Sequence, residues 1–167
     1  MLTENYEAAH AEFDAALRSA VARDAPEGMA RSHQRLGVCA ERMGALDIAE
    51  EHTHAAFELN PEPERVVGQA QRLRRLAVLA RLRGRPADGL SYARRALVLL
   101  GRTDETTDRP ETYLTTADCL RDLGRLKEAR RFYTSGHHDA RNTRTAERAR
   151  AALAELDTNS NLKAEGE

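Results

Sequence analysis

The chain has 167 residues, of which 41% are hydrophobic and 32% charged, while aromatic residues make up only 4% and tryptophan is missing. This composition favours a helical domain with close helix contacts. A formal net charge of −1 gives no global attraction to nucleic acid or to an anionic membrane. No stretch approaches the ~20 apolar residues of a membrane-spanning helix, and acidic residues interrupt the beginning of the chain where a signal peptide would be apolar. These features predict a cytoplasmic protein.

A short sequence motif recurs along the chain at an interval of forty residues. Three copies of the motif begin with a glycine, namely Gly44, Gly84 and Gly124. Glu4 stands at the corresponding place near the start of the chain. Apolar residues follow helical spacing on both sides of each glycine. Each unit is therefore predicted to be two amphipathic helices joined at a glycine, and a repeat of this length predicts that the units stack.

The first predicted element, residues 4–23, is a second helix without its first-helix partner. Its apolar face would be only half covered by the next unit, and exposed apolar faces tend to mark interaction sites. Either the chain is a fragment of a longer protein or this face contacts another subunit. The residues of this face are Tyr6, Ala9, Phe13, Ala16 and Leu17.

Three complete helix pairs are predicted to follow, near residues 30–63, 70–103 and 110–141. In each pair a small residue stands where the two helices would cross closely, namely Ala49, Gly89 and Ala129.

The residues left over between the units are 24–29, 64–69 and 104–109. Residues 64–69 are predicted to lengthen a helix, whereas residues 103–109 are predicted to form a loop in which Asp108 caps the next helix.

Residues 143–157 are predicted to form a capping helix outside the repeat register, since a stack otherwise ends on an exposed apolar face. Residues 158–167 are polar and are predicted to be a disordered tail.

The order of apolar, small and proline residues resembles the tetratricopeptide repeat (TPR). The best copy begins at Ala30 and carries Leu36-Gly37, Ala40, Ala49, Ala56 and Pro61; further copies in register begin at Ala70 and Pro110. The forty-residue period exceeds the usual thirty-four and is similar to longer bacterial variants. The resemblance implies an all-α fold, an α-α superhelix (solenoid) of antiparallel helix pairs with a C-terminal capping helix, in one domain over residues 1–157.

The resemblance also implies a concave groove lined by the first helix of each unit. This stripe is basic in its middle and acidic toward the third unit, and arginine forms paired bonds to carboxylates. Arg42, Arg74 and Arg81 would then hold an acidic segment or a C-terminal carboxylate; the alternative is a solvated helix face. Val38 and Val78 stand where the family's carboxylate clamp has asparagine, so binding of chaperone tails is not implied. The expected groove residues are Gln34, Val38, Glu41, Arg42, Arg74, Val78, Arg81, Leu114, Asp118, Arg121 and Asp122.

No sequence pattern indicates catalysis. Phosphate-binding glycine loops, zinc-type cysteine pairs and nucleophile elbows are missing. Cys39 and Cys119 occupy equivalent places in different repeats, too far apart for a disulfide, and are interpreted as small buried side chains.

The histidines are interpreted as surface or capping residues. His52 and His54 are two residues apart on a helix and point to different faces, so that they do not chelate a metal together. A metal site that combines them with His10 or His33 is the less favoured interpretation. The sequence thus predicts no catalytic residue, metal or cofactor.

The leading hypothesis is a non-enzymatic protein–protein interaction scaffold that binds a peptide or protein segment in the concave groove, without direct contact to nucleic acid or membrane. The alternative is a self-associating structural or sensor module, or a fragment of a larger bacterial transcriptional regulator. A homodimer would then form through Tyr6, Phe13 and Leu17 of the N-terminal helix.

Overall fold

The computed structural model describes residues 2–59, 66–103 and 107–164, and the side chains of residues 6–158 within these ranges. In these ranges the chain forms eight α-helices and no strand. Each helix packs against the next one along the chain, and α4 also contacts α6. The all-α fold and the α-α solenoid are thereby confirmed. The helices are α1 (Leu2–Ala22), α2 (Pro26–Arg42), α3 (Leu46–Glu58), α4 (Val66–Leu82), α5 (Pro86–Leu100), α6 (Arg109–Asp122), α7 (Leu126–Asp139) and α8 (Thr143–Ala164).

Each of the three helix pairs, α2–α3, α4–α5 and α6–α7, turns at one of the repeated glycines. The φ angles of Gly44, Gly84 and Gly124 are 78°, 73° and 73°, in the left-handed region that closes helices. At the first of these turns the Ala45 N–H donates to the Ala40 carbonyl over 2.9 Å. Bonds of the same spacing close the other two turns, which confirms the glycines as the hinges of the repeat.

The turn between α1 and α2 has the same hydrogen bonds without a glycine. Asp24 takes φ 47°, and the Ala25 N–H donates to the Ala20 carbonyl over 3.0 Å. The first helix therefore joins the stack through a turn of the same kind as the three glycine turns. Glu4 lies inside α1 and forms no hinge.

The residues between the predicted units mostly extend helices. Helix α2 begins at Pro26, which corrects the prediction that residues 24–29 lie between units; proline fits the first helical turn because its missing N–H has no helical partner there. Helix α4 begins at Val66, in agreement with the predicted lengthening. The predicted features at Pro61, residues 62–65, residues 104–106 and residues 165–167 lie outside the described residues.

Asp108 does not cap α6 with its side chain, contrary to the sequence prediction. Its backbone is already helical, with φ −87° and ψ −11°. Its carboxylate Oδ2 accepts instead from Gln71 Nε2 of α4 over 2.8 Å. The Asp108 carbonyl accepts from Thr112 Oγ1 over 2.7 Å. Tertiary contact has thus taken the side chain away from the local capping role.

Small residues lie at the helix crossings of each pair. Ala49, Gly89 and Ala129 are all buried. Ala49 lies close to Gly37 on the partner helix, and Gly89 lies close to Ala77. A Cβ added to Gly37 would lie 3.3 Å from the Ala49 carbonyl oxygen. The close crossings allow the aliphatic core to pack between the helices with few aromatic side chains.

Cys39 and Cys119 are both buried and free, in agreement with their interpretation as small core residues. Among the described residues, no helix combines the length and the apolar character needed to cross a membrane.

Helix α8 continues past the predicted end of the capping helix at residue 157. It runs to Ala164, so that the tail predicted as disordered from residue 158 begins inside a helix. The Thr158 hydroxyl donates to the Ala154 carbonyl over 3.0 Å, and the sequence has no glycine or proline before Gly166 to break the helix. Polarity alone therefore gave the wrong end of the element.

Candidate binding groove

A cavity of about 480 Å³ lies between α2, α3 and α4. All of the groove residues predicted on α2 line it, together with two of those predicted on α4. The predicted lining residues are Gln34, Val38, Glu41, Arg42, Arg74 and Val78, and the structure adds Thr53, Ala56, Gln71, Arg72 and Arg75.

The cavity exists because α2 of the first helix pair and α4 of the second lie apart from each other. Helix α4 packs against α6, whereas α2 and α4 have no direct backbone contact in the described structure. One ion pair spans the gap, from Arg75 Nη2 to Glu41 Oε2 over 2.6 Å. This ion pair connects the two walls across the space between them.

The cavity carries an excess of positive charge. Of its described lining residues, four are arginines and one, Glu41, is a carboxylate. Arg42 is exposed and Arg74 half-buried, and neither forms an ion pair with another described residue. The Arg74 Nε is buried without a hydrogen-bond partner. Two guanidinium groups are therefore available to an anionic group that enters the cavity.

Arg81, the third arginine of the predicted stripe, is already paired. Its Nη1 donates to Asp122 Oδ2 over 3.0 Å. Burial disfavours the charge, but the hydrogen bond to Asp122 and the nearby charges of Asp118 and Asp122 together outweigh it, so that the pKa of Arg81 is raised. Arg121 lies 3.7 Å from Asp122 and 3.7 Å from Glu155. The charged side chains near the third helix pair thus pair with one another and are not available to a ligand.

Leu114 and Asp118 do not line an open groove, which corrects the sequence prediction. Leu114 is fully buried in the core between α6 and α7. Asp118 is 8% exposed; Tyr133 donates to its Oδ1 and Arg148 of α8 to its Oδ2, each over 2.6 Å. Leu114 is covered by α7, where its Cδ1 fills the space that a side chain at Gly136 would need, whereas α8 folds back onto α6 and covers Asp118.

The buried titratable groups near α6 are not suited to nucleophilic chemistry. Burial and the hydrogen bond to Asp118 raise the pKa of Tyr133 far above its usual value. Burial raises the pKa of Cys119 to about 11. Both groups stay protonated at neutral pH.

Two histidines that are distant in sequence meet between α2 and α3. The Nδ1 atoms of His33 and His52 lie 2.9 Å apart, and burial lowers the pKa of both imidazoles. His54 lies on another face, with its ring centroid 5.9 Å from that of Tyr92. The sequence suggested His33 together with His52 only as part of a less favoured metal site. Their direct contact was not predicted because nineteen residues separate them, although their places on two packed helices were a usable signal. In the described residues no cluster of three or more His, Cys, Asp or Glu is arranged to hold a metal ion.

The N-terminal helix presents a partly covered apolar face. Tyr6, Phe13 and Leu17 are half-buried. The Arg35 guanidinium of α2 lies 5.2 Å from the centroid of the Phe13 ring, a cation–π arrangement. At Phe13 the face predicted for self-association is thus in contact with α2.

No protein-family model matches the sequence, and a search of curated proteins gives no match. Among solved structures, the chain is similar to the N-terminal domain of stress-induced protein-1 (STI-1) from C. elegans. The TM-score is 0.61 at 14% sequence identity, and the match covers 77% of this chain and 97% of that one. This likeness and the helix packing show a TPR-like helical repeat.

Proposed function

We propose that this TPR-like helical repeat is a non-enzymatic protein-interaction scaffold that binds an acidic peptide or protein segment in the cavity between α2 and α4. A TPR-like fold is typically an interaction module, which fits protein partners in general. The observation that carries the proposal is the pair Arg42 and Arg74, two cations in one cavity without a carboxylate partner among the described residues.

The chemistry of the cavity favours carboxylates on an extended segment. Arg74 is held half-buried in the wall of α4, where water screens its charge less than on an open surface. Planar guanidinium groups bind carboxylates through paired hydrogen bonds. Val38 and Val78 also line the cavity and offer apolar contact to the stem of an acidic side chain.

We restrict the proposed site to a part of the ligand-binding stripe expected from the sequence. Arg81 has its own partner in Asp122, and Asp118 is paired with Arg148. The proposed site therefore comprises the predicted residues on α2 and the first part of α4, without those on α6. A cytoplasmic location, a bacterial regulatory role and the long-period bacterial variant of the repeat stay predictions from the sequence.

The experiment is a binding titration with two labelled peptides of equal length. One is rich in glutamate with a free C-terminal carboxylate; the other has glutamine at those positions and an amidated end. Fluorescence anisotropy is expected to show binding of the acidic peptide alone. The double variant Arg42→Glu, Arg74→Glu should weaken it by about tenfold or more, because two charge-assisted contacts are lost.

The matched control is Arg150→Glu, which reverses the charge of an exposed arginine on α8. Its effect should be no more than the small change expected from net charge. Equal loss in the control and in the double variant would contradict the proposal, and so would equal binding of both peptides. Circular dichroism melting of each variant verifies that the fold is kept.

A further inference from the structure

A second depression lies on a different side of α4 from the cavity. It has a volume of about 400 Å³, and Phe57, Leu73, Val98 and Leu99 form its apolar walls. Arg94 and Arg95 of α5 stand at its edge, and its described lining residues include no carboxylate. We refer to these six residues as the α5 slot. The α5 slot and the cavity between α2 and α4 share no lining residue.

The α5 slot exposes apolar side chains to solvent. Val98 is 58% exposed, more than any other large hydrophobic side chain in the described ranges. Leu73 at the base is buried in the core of the second helix pair. An apolar side chain entering the slot would therefore extend the existing core outward, and apolar burial is the main driving force of protein association.

The charges at the edge determine which segment fits. The Arg95 guanidinium lies 5.8 Å from the centroid of the Phe57 ring, so that its cation is held above the apolar wall. Arg94 is exposed and forms no ion pair with another described residue. A basic or neutral segment would bring no carboxylate to these two cations, whereas acidic residues would pair with them.

We propose that the α5 slot is a second docking surface for a partner protein, whose segment inserts a large apolar side chain between Phe57 and Val98. Carboxylates on either side of this apolar residue pair with Arg94 and Arg95. The occupant is thus an acidic segment with an apolar anchor, in contrast to the purely acidic segment that suits the cavity. The two surfaces on opposite sides of α4 allow the scaffold to bind two segments at once.

The experiment is selection from a displayed library of random peptides on the wild-type protein. We expect enrichment of peptides with Leu, Phe or Trp flanked by Asp or Glu. A synthetic peptide from this set should lose at least tenfold in affinity for Val98→Glu and for Arg94→Glu. A milder variant, Val98→Ser, should reduce binding in the same direction without adding charge.

The matched control is Val21→Glu, since Val21 is 56% exposed on α1, far along the chain from the slot. It should bind the synthetic peptide like the wild type, and so should the double variant Arg42→Glu, Arg74→Glu. Loss of binding in the cavity between α2 and α4 can therefore be distinguished from loss of binding in the α5 slot.

Three results would overturn the proposal. One is that no selected peptide depends on Val98. Another is that the peptides depending on Val98 carry basic residues beside the apolar one. The third is a wild-type dimer in sedimentation that Val98→Glu dissociates, which would make a second copy of the chain the occupant.

Discussion

Gly89 lies so close to Ala77 that a Cβ atom on the glycine would be 2.8 Å from the Ala77 carbonyl oxygen. The same Cβ would lie 3.0 Å from Cys119 Sγ. In the preceding pair the arrangement is reversed: Gly37 is on the first helix, and Ala49 is on the second. The two positions are forty residues apart in each case, so either helix supplies the glycine in these two pairs. The third pair has alanine at both positions, Ala117 and Ala129.

We expect Gly89→Ala to destabilise the protein by about 1–3 kcal/mol, the usual cost of overpacking a core. The added methyl would meet a backbone carbonyl that cannot rotate away. Urea unfolding followed by circular dichroism measures the change. The control is Gly101→Ala, where a Cβ would be 3.4 Å from the nearest atom and φ is −68°; this variant should be neutral or slightly stabilised. A stable Gly89→Ala protein would refute the close crossing.

Substitutions at Asp24 and at Gly84 should change the stability of the protein in opposite directions. Asp24 takes φ 47° without a glycine, and Gly84 takes φ 73° with no atom within 4 Å of its absent Cβ. Asp24→Gly should stabilise by less than about 1 kcal/mol, because the left-handed conformation disfavours a side chain. Gly84→Ala should destabilise by about 1 kcal/mol for the same reason. Thermal melting of the two variants checks the signs; equal signs would contradict this explanation.

Arg148 is expected to hold α8 onto α6. Its Nη1 donates to Glu111 over 3.1 Å, in addition to the bond of Nη2 to Asp118. Arg148→Met should therefore increase amide hydrogen exchange at Ala149 and Ala152, while the core of α4 keeps its protection. Arg150→Met, on the exposed side of the same helix, is the control. Unchanged exchange in Arg148→Met would mean that apolar packing alone docks α8.

The contact of His33 with His52 should make stability fall in mild acid. Burial lowers both pKa values from the ordinary 6.5, so the folded state binds fewer protons than the unfolded state. Stability is then complete above about pH 6.5 and decreases as the pH falls below it. On α1, His10 adds to the depression of the His52 pKa, whereas the carboxylate of Asp14 opposes it.

Replacing the pair measures this contribution. His33→Gln and His52→Gln should each flatten the dependence of the urea midpoint on pH between roughly pH 7.5 and pH 5. The exposed His138 provides the control, since His138→Gln should leave the slope unchanged. If the stability of the wild-type protein rises as the pH falls through this range, the explanation is contradicted, because the folded state then binds more protons than the unfolded state.

Cys119 should be unreactive in the folded protein. Its pKa of about 11 leaves about one thiol in a thousand ionised at pH 8, and burial blocks access as well. A colourimetric thiol reagent at pH 8 should therefore modify Cys119 only as the protein unfolds, at a rate that increases with urea. A Cys39→Ser background isolates the signal. Rapid modification without denaturant would show that the packing of α5 on α6 opens easily.

The candidate groove was predictable from the sequence as far as it depends on a single helix. The positions on α2 follow helical spacing, and the structure brings Gln34, Val38, Glu41 and Arg42 to one cavity wall. The third helix pair was not predictable in this way. Leu114 has the same place in its repeat as Gln34 and Arg74, but it is buried beside Gly136 of α7, and α8 covers Asp118 on the same helix.

Local patterns in the sequence determined the helix pairs, their glycine turns and the absence of a disulfide, because helical periodicity and left-handed turns depend on residues close to each other in the chain. Tertiary structure alone decided which charges remain available. The pairing of Arg81 with Asp122 and that of Asp118 with Arg148 join helices from different repeats, as does the bond of Gln71 to Asp108. A sequence read along one helix shows which side chains share a face; what packs against that face depends on the separation of the helices and on where the last helix folds back.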